Sequence, residues 1–197
     1  MNKVKILFVG KHDRINEGKS MVASTSTLVR GDKNIIVDTG SFMDRDRLVD
    51  SLKKENLTPE DIDCVIITHT HLDHSANAGL FKNAEILVKH NLSNPGIKFY
   101  VNSYFIEKVN LDGYTVMKGV KTLLTPGHTV DNISVAVETR EGTIVVAGDA
   151  ISSEKYLDLS RIPESCWDKN EYNKSRKKIL KIADWIIPGH GDLVKIK

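Results

Sequence analysis

Six consecutive positions, 69 to 74, read His-Thr-His-Leu-Asp-His, so three imidazoles and a carboxylate (His69, His71, Asp73 and His74) follow directly on the apolar run CVIIT. Neutral imidazole nitrogens and ionised carboxylate oxygens are the donors that zinc and similar divalent ions take, and a catalytic ion keeps one position open for water or substrate. Three more such groups follow apolar runs later in the chain: His128 in TPGHT, Asp149 in VVAGDA and His190 in IIPGHG. Seven donors suffice for two ions. We expect His69, His71 and His128 to hold one and Asp73, His74 and His190 the other. Asp149 would bridge them, because a carboxylate offers two oxygens and negative charge where two cations repel. His12 and His90 stand in no such context and are read as ordinary histidines.

The elements that must position these groups are short. Strand-like runs occupy residues 4–10, 26–31 and 34–38, with Gly31-Asp32 as a hairpin signal. Apolar Leu48, Val49 and Leu52 among charges predict an amphipathic helix within residues 43–57. Thr58-Pro59-Glu60-Asp61 reads as a threonine cap, a first-turn proline and an acid three residues on, hence a short helix. It leads to a strand over 64–68 that is apolar throughout, as expected of one buried on both faces. Strands follow at 121–125, 133–139 and 143–149, then a helix from about 169 to 183 and a strand at 184–188. Mostly antiparallel sheet with helices outside it is the simplest α+β assembly. Gly127, Gly148 and Gly189 each adjoin a donor, where a tight bend could turn the side chain inward.

The 197 residues fit a single domain, residues 1–197, with a core that needs no disulfides. A net charge of +2 does not call for nucleic acid as an obligatory partner, and two cysteines distant in sequence are read as reduced thiols. With no long apolar run, the expected location is the cytoplasm, with no membrane partner. Lys174, Arg176, Lys177, Lys178 and Lys181 put positive charge on the late helix, read as a solvated face in preference to a phosphate stripe.

With its two histidines followed by Asp-His at 69–74 and its later His128, Asp149 and His190, the sequence resembles the metallo-β-lactamase superfamily. VDTG around Asp38 resembles that family's first motif, an aspartate supporting the site from behind. The resemblance implies a four-layer αβ/βα sandwich with the metals at one edge between two sheets. Only seven residues follow His190, so the helical domain of a glyoxalase II type thioesterase is not expected. Asp149 stands where β-lactamases of the superfamily generally carry cysteine or serine, and neither the glutamate of flavodiiron proteins nor the insertions of longer nucleases are found. The second half of the chain is similar to small members called metallo-β-lactamase domain-containing protein 1. Their animal representatives are linked to histone messenger-RNA cleavage.

Two ions in such a site would lower the pKa of a shared water and polarise the bond under attack, with Asp73 as the catalytic residue that orients that water. We therefore expect a metal-dependent hydrolase, with a phosphodiester such as RNA favoured by resemblance alone. A small-molecule thioester, lactone or β-lactam hydrolase is the alternative, and a non-catalytic module braced by its metals is a further one. Zinc is the first expectation for both ions. Iron, manganese, nickel or a mixed pair suit the same donors. Asp38 and Thr68 are candidates for holding the outward ring nitrogens. Tyr100, Tyr104 and Trp167 are candidate substrate contacts, and the clustered aromatics of residues 90–114 would suit a flap or a homodimer.

Overall fold

The computed structural model describes residues 1–17, 19–89 and 112–197. Two sheets lie face to face. The first runs in the order β1 (Lys3–Phe8), β4 (Ser26–Arg30), β5 (Asn34–Val37), β6 (Cys64–Ile67), β7 (Glu85–Val88). In the second the order is β13 (Val194–Lys195), β12 (Trp185–Pro188), β11 (Gly142–Gly148), β10 (Ile133–Thr139), β9 (Val120–Leu124), β8 (Thr115–Met117). A separate hairpin of β2 (Lys11–Asn16) and β3 (Lys19–Ala23) connects β1 to β4.

The period of two in the central strands builds the layers. Ile35, Val37, Cys64 and Ile66 of the first sheet point at Val135, Val137, Ile144 and Val146 of the second. Their sequence neighbours Ile36, Val65 and Ile67 face the other way, onto Leu48 and Leu52 of helix α1 (Arg45–Lys54). Val145, Ala147 and Ile186 likewise back onto Ile179 and Ala183 at the end of helix α3 (Lys169–Ile182). Strands buried on both faces need these unbroken apolar runs, and each large aliphatic side chain so buried stabilises the fold by roughly 1.5–3 kcal/mol. The result is helix on sheet on sheet on helix, the α+β four-layer sandwich.

The expectation of mostly antiparallel sheet needs one correction. β5–β6, β6–β7 and β11–β12 are parallel pairs. The chain must cross over between them, and α1 and α3 make two of those crossings. The hairpin β2–β3 and the strands β7, β8 and β13 have no counterpart in the sequence reading. The hairpin's residues are largely exposed, so it lacks the one-sided apolar pattern by which strands are read. Thr58 and Asp61 form the expected capping box, on a single 3-10 turn, Pro59–Asp61. Helix α3 begins on Asp168, whose carboxylate accepts from the amides of Asn170 (2.7 Å) and Glu171 (3.0 Å).

The basic face expected on α3 is not one face. Arg176 is fully buried, and Lys178 pairs with Asp112. Lys174, Lys177 and Lys181 are exposed, Lys174 bonding Glu171 one turn back at 2.8 Å. Among the described residues no helix is long and apolar enough to cross a membrane. Both cysteines are free thiols.

Candidate metal centre

Strand ends on the same edge of the two sheets deliver the donors. β6 runs out at Ile67 into the 68–71 segment and the one-turn helix α2 (Leu72–Ser75); β9, β11 and β12 run out toward His128, Asp149 and His190. Backbone bonds fix these exits to one another. The Ser24 amide donates to Asp73 O (3.0 Å), Thr25 N to Gly189 O (2.7 Å), Thr39 N to His74 O (2.7 Å), Ile133 N to Thr68 O (2.8 Å) and His190 N to Ser152 O (2.7 Å). Two glycines allow the approach. Gly148 has φ +54° and a Cβ there would lie 2.6 Å from the Thr68 side chain, while a Cβ on Gly189 would lie 1.9 Å from Asp149 Oδ1.

The seven candidate donors lie close together, in groups that overlap. His69 Nε2 lies 2.9 Å from His71 Nδ1, which lies 3.2 Å from His128 Nε2. Within the second group, His74 Nε2 and His190 Nε2 are 3.5 and 3.6 Å from Asp73 Oδ2. Asp149 stands between the groups. Its Oδ2 is 3.3 Å from His128 Nε2, and its Oδ1 is 3.5 Å from His74 Nε2 and 3.3 Å from His190 Nε2. His69-His71-His128, His69-His74-Asp149 and Asp73-His74-His190 each bring their ligand atoms within 4.8 Å of one another.

These residues fit divalent ions. Bonds of about 2.0–2.1 Å in a tetrahedron put neighbouring donors about 3.3 Å apart, close to the spacings here. His74 Nε2 and Asp149 Oδ1 are buried without a hydrogen-bond partner, an arrangement that costs stability unless something else binds there. His128 Nδ1 is also buried and unpartnered. His71 is exposed and Asp73 half-buried, while His69 and His74 are fully buried, so the cluster opens on the side of His71 and Asp73.

Behind the candidate donors lie Asp38 and Thr68. Asp38 has φ +58°, uncommon for a residue with a side chain. Ser26 Oγ donating to its carbonyl (2.7 Å) and its own amide donating to Ile66 O (2.9 Å) pin that backbone. Its carboxylate then meets His74 Nδ1 (2.7 Å), the Thr68 amide (2.8 Å) and Thr68 Oγ1 (2.8 Å). Holding Nδ1–H this way turns the Nε2 lone pair of His74 into the site. His190 is held likewise, with Nδ1 2.8 Å from Ala23 O. Asp131 was missed. Buried, it accepts from Thr70 N (3.0 Å) and Thr70 Oγ1 (2.9 Å), fixing the residue between His69 and His71. Its only sequence signal is an acid three residues after His128.

Electrostatics favour a cation. Burial, with the neighbouring imidazoles, holds His69 well below the usual histidine range, and burial lowers His128 as well, so both present lone pairs. Burial alone would also lower His74 and raise Asp149. The carboxylates of Asp38 and Asp149 outweigh it and hold His74 well above its ordinary value. His74 and His190 in turn keep Asp149 well below the usual carboxylate range. The same carboxylates that favour positive charge on His74 would favour a cation bound beside them.

The open side faces a cavity of about 700 Å³. Besides the donors it is lined by Lys11, His12, Asp13 and Val22 from the hairpin and by Ser152, Ser153, Lys155, Tyr156, Pro163 and Ser165 from the segment after β11. His12, set aside in the sequence, has its ring 5.8 Å from that of His190. Trp167 is 61% exposed and is not among the described residues lining the cavity, while its amide donates to His128 O (3.1 Å). His90, Tyr100 and Tyr104, with most of the 90–114 segment, lie outside the described residues.

The model of the Metallo-beta-lactamase superfamily matches residues 21–190. Metallo-beta-lactamase domain-containing protein 1 of Xenopus laevis is 38% identical over 197 aligned residues, covering 96% of this chain and 80% of its own length. Of the human protein with that name, 34% identical, this chain spans 58%. A putative metallo-beta-lactamase from Thermotoga maritima superposes with a TM-score of 0.77 at 22% identity, over 98% of this chain and 99% of that one. An N-acyl homoserine lactone hydrolase, solved with the product N-hexanoyl-L-homoserine bound at its catalytic metal center, gives 0.71 at 22%, over 96% and 92%.

Proposed function

Because the chain belongs to the metallo-beta-lactamase superfamily and is a metal-dependent hydrolase, we propose that it holds two divalent ions, zinc first, and hydrolyses a phosphodiester. His69, His71 and His128 would hold one ion, Asp73, His74 and His190 the other, and Asp149 both. Bound there, the ions supply an acidified water and a polarised phosphoryl oxygen. The chain's own residues do the rest. Asp73, half-buried at the cavity floor, orients the attacking water and accepts its proton as the bond to phosphorus forms. It returns that proton to the leaving oxygen as the P–O bond breaks. Asp38 keeps His74 aimed by bonding its far nitrogen.

One observation supports the choice of substrate: beside the donors and one further acid, Asp13, the residues lining the cavity include Lys11, Lys155, Ser152, Ser153, Tyr156 and Ser165, two cations and four hydroxyl-bearing residues. Cations and hydroxyl donors suit the charged oxygens of a phosphate and are wasted on an uncharged acyl group. A lactone is the second reading, supported by the shared fold of the lactone hydrolase whose product sits at its metal center. The open cavity and the exposed His71 weigh against a purely bracing metal site, which would be closed.

Turnover of metal-loaded protein on a chromogenic phosphodiester, short single-stranded RNA, a thioester, a lactone and a β-lactam tests this, with Asp73→Asn alongside. Phosphodiester or RNA cleavage that drops by about 10²–10⁴-fold in the variant is the expected result. Selective lactone turnover would move the assignment to the second reading. Turnover that Asp73→Asn leaves unchanged would sink the assigned mechanism.

A further inference from the structure

Helix α3 buries Tyr172, Ser175, Arg176 and Ile179, one stripe at the spacing of successive turns. Ile179 belongs to the core, but the polar members of the stripe hold loops. Ser175 Oγ donates to Pro126 O (2.7 Å), just before the bend that carries His128. Arg176 reaches the other way, into the irregular segment after β11. Its Nη1 donates to the carbonyls of Tyr156 (2.7 Å), Asp158 (3.1 Å) and Arg161 (2.8 Å), and its Nη2 to Leu159 O (3.0 Å) and to Asn173 Oδ1. The guanidinium also lies over the Tyr172 ring, 4.6 Å from its centroid.

Burying a guanidinium removes far more hydration than leaving it outside, and only several well-placed acceptors offset that cost. Here four of the acceptors are backbone carbonyls of one short loop, whose residues lack a strand ladder to satisfy them. A planar fork can hold four carbonyls in fixed relative positions; a lysine ammonium, with three donors at one point, cannot. Ser152, Ser153, Lys155 and Tyr156 enter the cavity from the near side of the gripped stretch and Pro163 and Ser165 from the far side. Arg176 makes no hydrogen bond to any of the seven metal-donor residues.

We propose that Arg176 is a positioning residue for substrate, holding residues 152–165 as the recognition wall of the metal cavity. The inference rests on the hydrolase reading of that cavity but not on which bond is cut. Removing the guanidinium frees the wall and leaves the floor intact, so binding weakens while the chemical step on bound substrate persists.

The test uses metal-loaded Arg176→Lys and Arg176→Met beside the wild type. Three things are measured: metal per chain, amide hydrogen exchange over 153–161, and kcat and KM on whichever substrate of the panel above the wild type turns over best. Metal content should stay at the wild-type level while exchange over 153–161 accelerates about tenfold or more, with strands β11 and β12 unchanged. KM should rise about tenfold with kcat within about threefold, and Lys should recover part of the loss. If Arg176→Met does not fold, Arg176→Lys carries the comparison. Unchanged exchange over 153–161 overturns the proposal. So does a joint fall of metal content and kcat, which would make Arg176 a support of the whole centre. A wild type inert on every substrate would count against the hydrolase reading, and the exchange result would then decide whether Arg176 braces this wall.

Discussion

His69, Asp149 and His190 sit one or two residues beyond strands of the central sheets, whereas Lys155, Tyr156 and Ser165 ride on a segment whose shape is held by a side chain from another element. The floor of the cavity thus inherits its geometry from two sheets buried on both faces, and the wall takes its geometry from local turns and the carbonyl contacts of one guanidinium. A change at the floor meets packed backbone that cannot yield. A change at the wall meets a loop that can. The floor should therefore fail as a unit and the wall by degrees.

The largest effect is expected from Gly189→Ala. The added carbon would lie 1.9 Å from Asp149 Oδ1 and 3.0 Å from the carbonyl carbon of Gly148, so Asp149 would have to leave the position between the two donor groups. Loss of metal, measured per chain after loading, and a fall in turnover of about 100-fold or more should follow together. Gly79→Ala, whose new carbon meets nothing within 4 Å, should change neither. A Gly189→Ala protein with full metal content would mean that the floor yields, and would break the contrast.

The same contrast explains what could be read from sequence. Each donor follows an apolar strand, and the period of two in residues such as Ile35, Ile36 and Val37 divides the sandwich into its layers, so floor and fold were both legible. Legibility ended where position depends on a non-local partner. Arg176 looks like one more cation in a run of lysines, because nothing local marks the carbonyls of 156–161 as its acceptors. His12 lies on a ribbon with little buried surface, which leaves no periodic signature. Parallel pairing of β11 with β12 likewise depends on where α3 returns the chain.

A smaller effect is expected one layer behind the floor, from Asp38→Asn. Asparagine tolerates the left-handed backbone at φ +58°, so the fold should persist. The charge that draws on His74 Nδ1 at 2.7 Å is lost, however, and the amide can turn either an oxygen or an NH₂ to the ring. Metal affinity should weaken by about 10–100-fold, read by competition with a chelator, with turnover restored at saturating metal. Turnover that stays low at full occupancy would show that Asp38 does more than aim a ligand.

The smallest effect belongs to Trp167, whose type and position suggested a substrate contact. The residue is 61% exposed and outside the cavity lining, while its amide donates to His128 O at 3.1 Å. Alanine keeps that amide, so Trp167→Ala should leave kcat/KM within about twofold and metal content unchanged. Proline removes the N–H and releases the carbonyl of His128. Trp167→Pro should therefore weaken metal binding by several-fold, the scale of about 1 kcal/mol for one lost hydrogen bond. The pair separates a side chain beside the site from a backbone group that belongs to it. If alanine instead raised KM as strongly as loss of Arg176, the recognition wall would extend past Ser165 to the indole, and the line between wall and surface would have to be redrawn there.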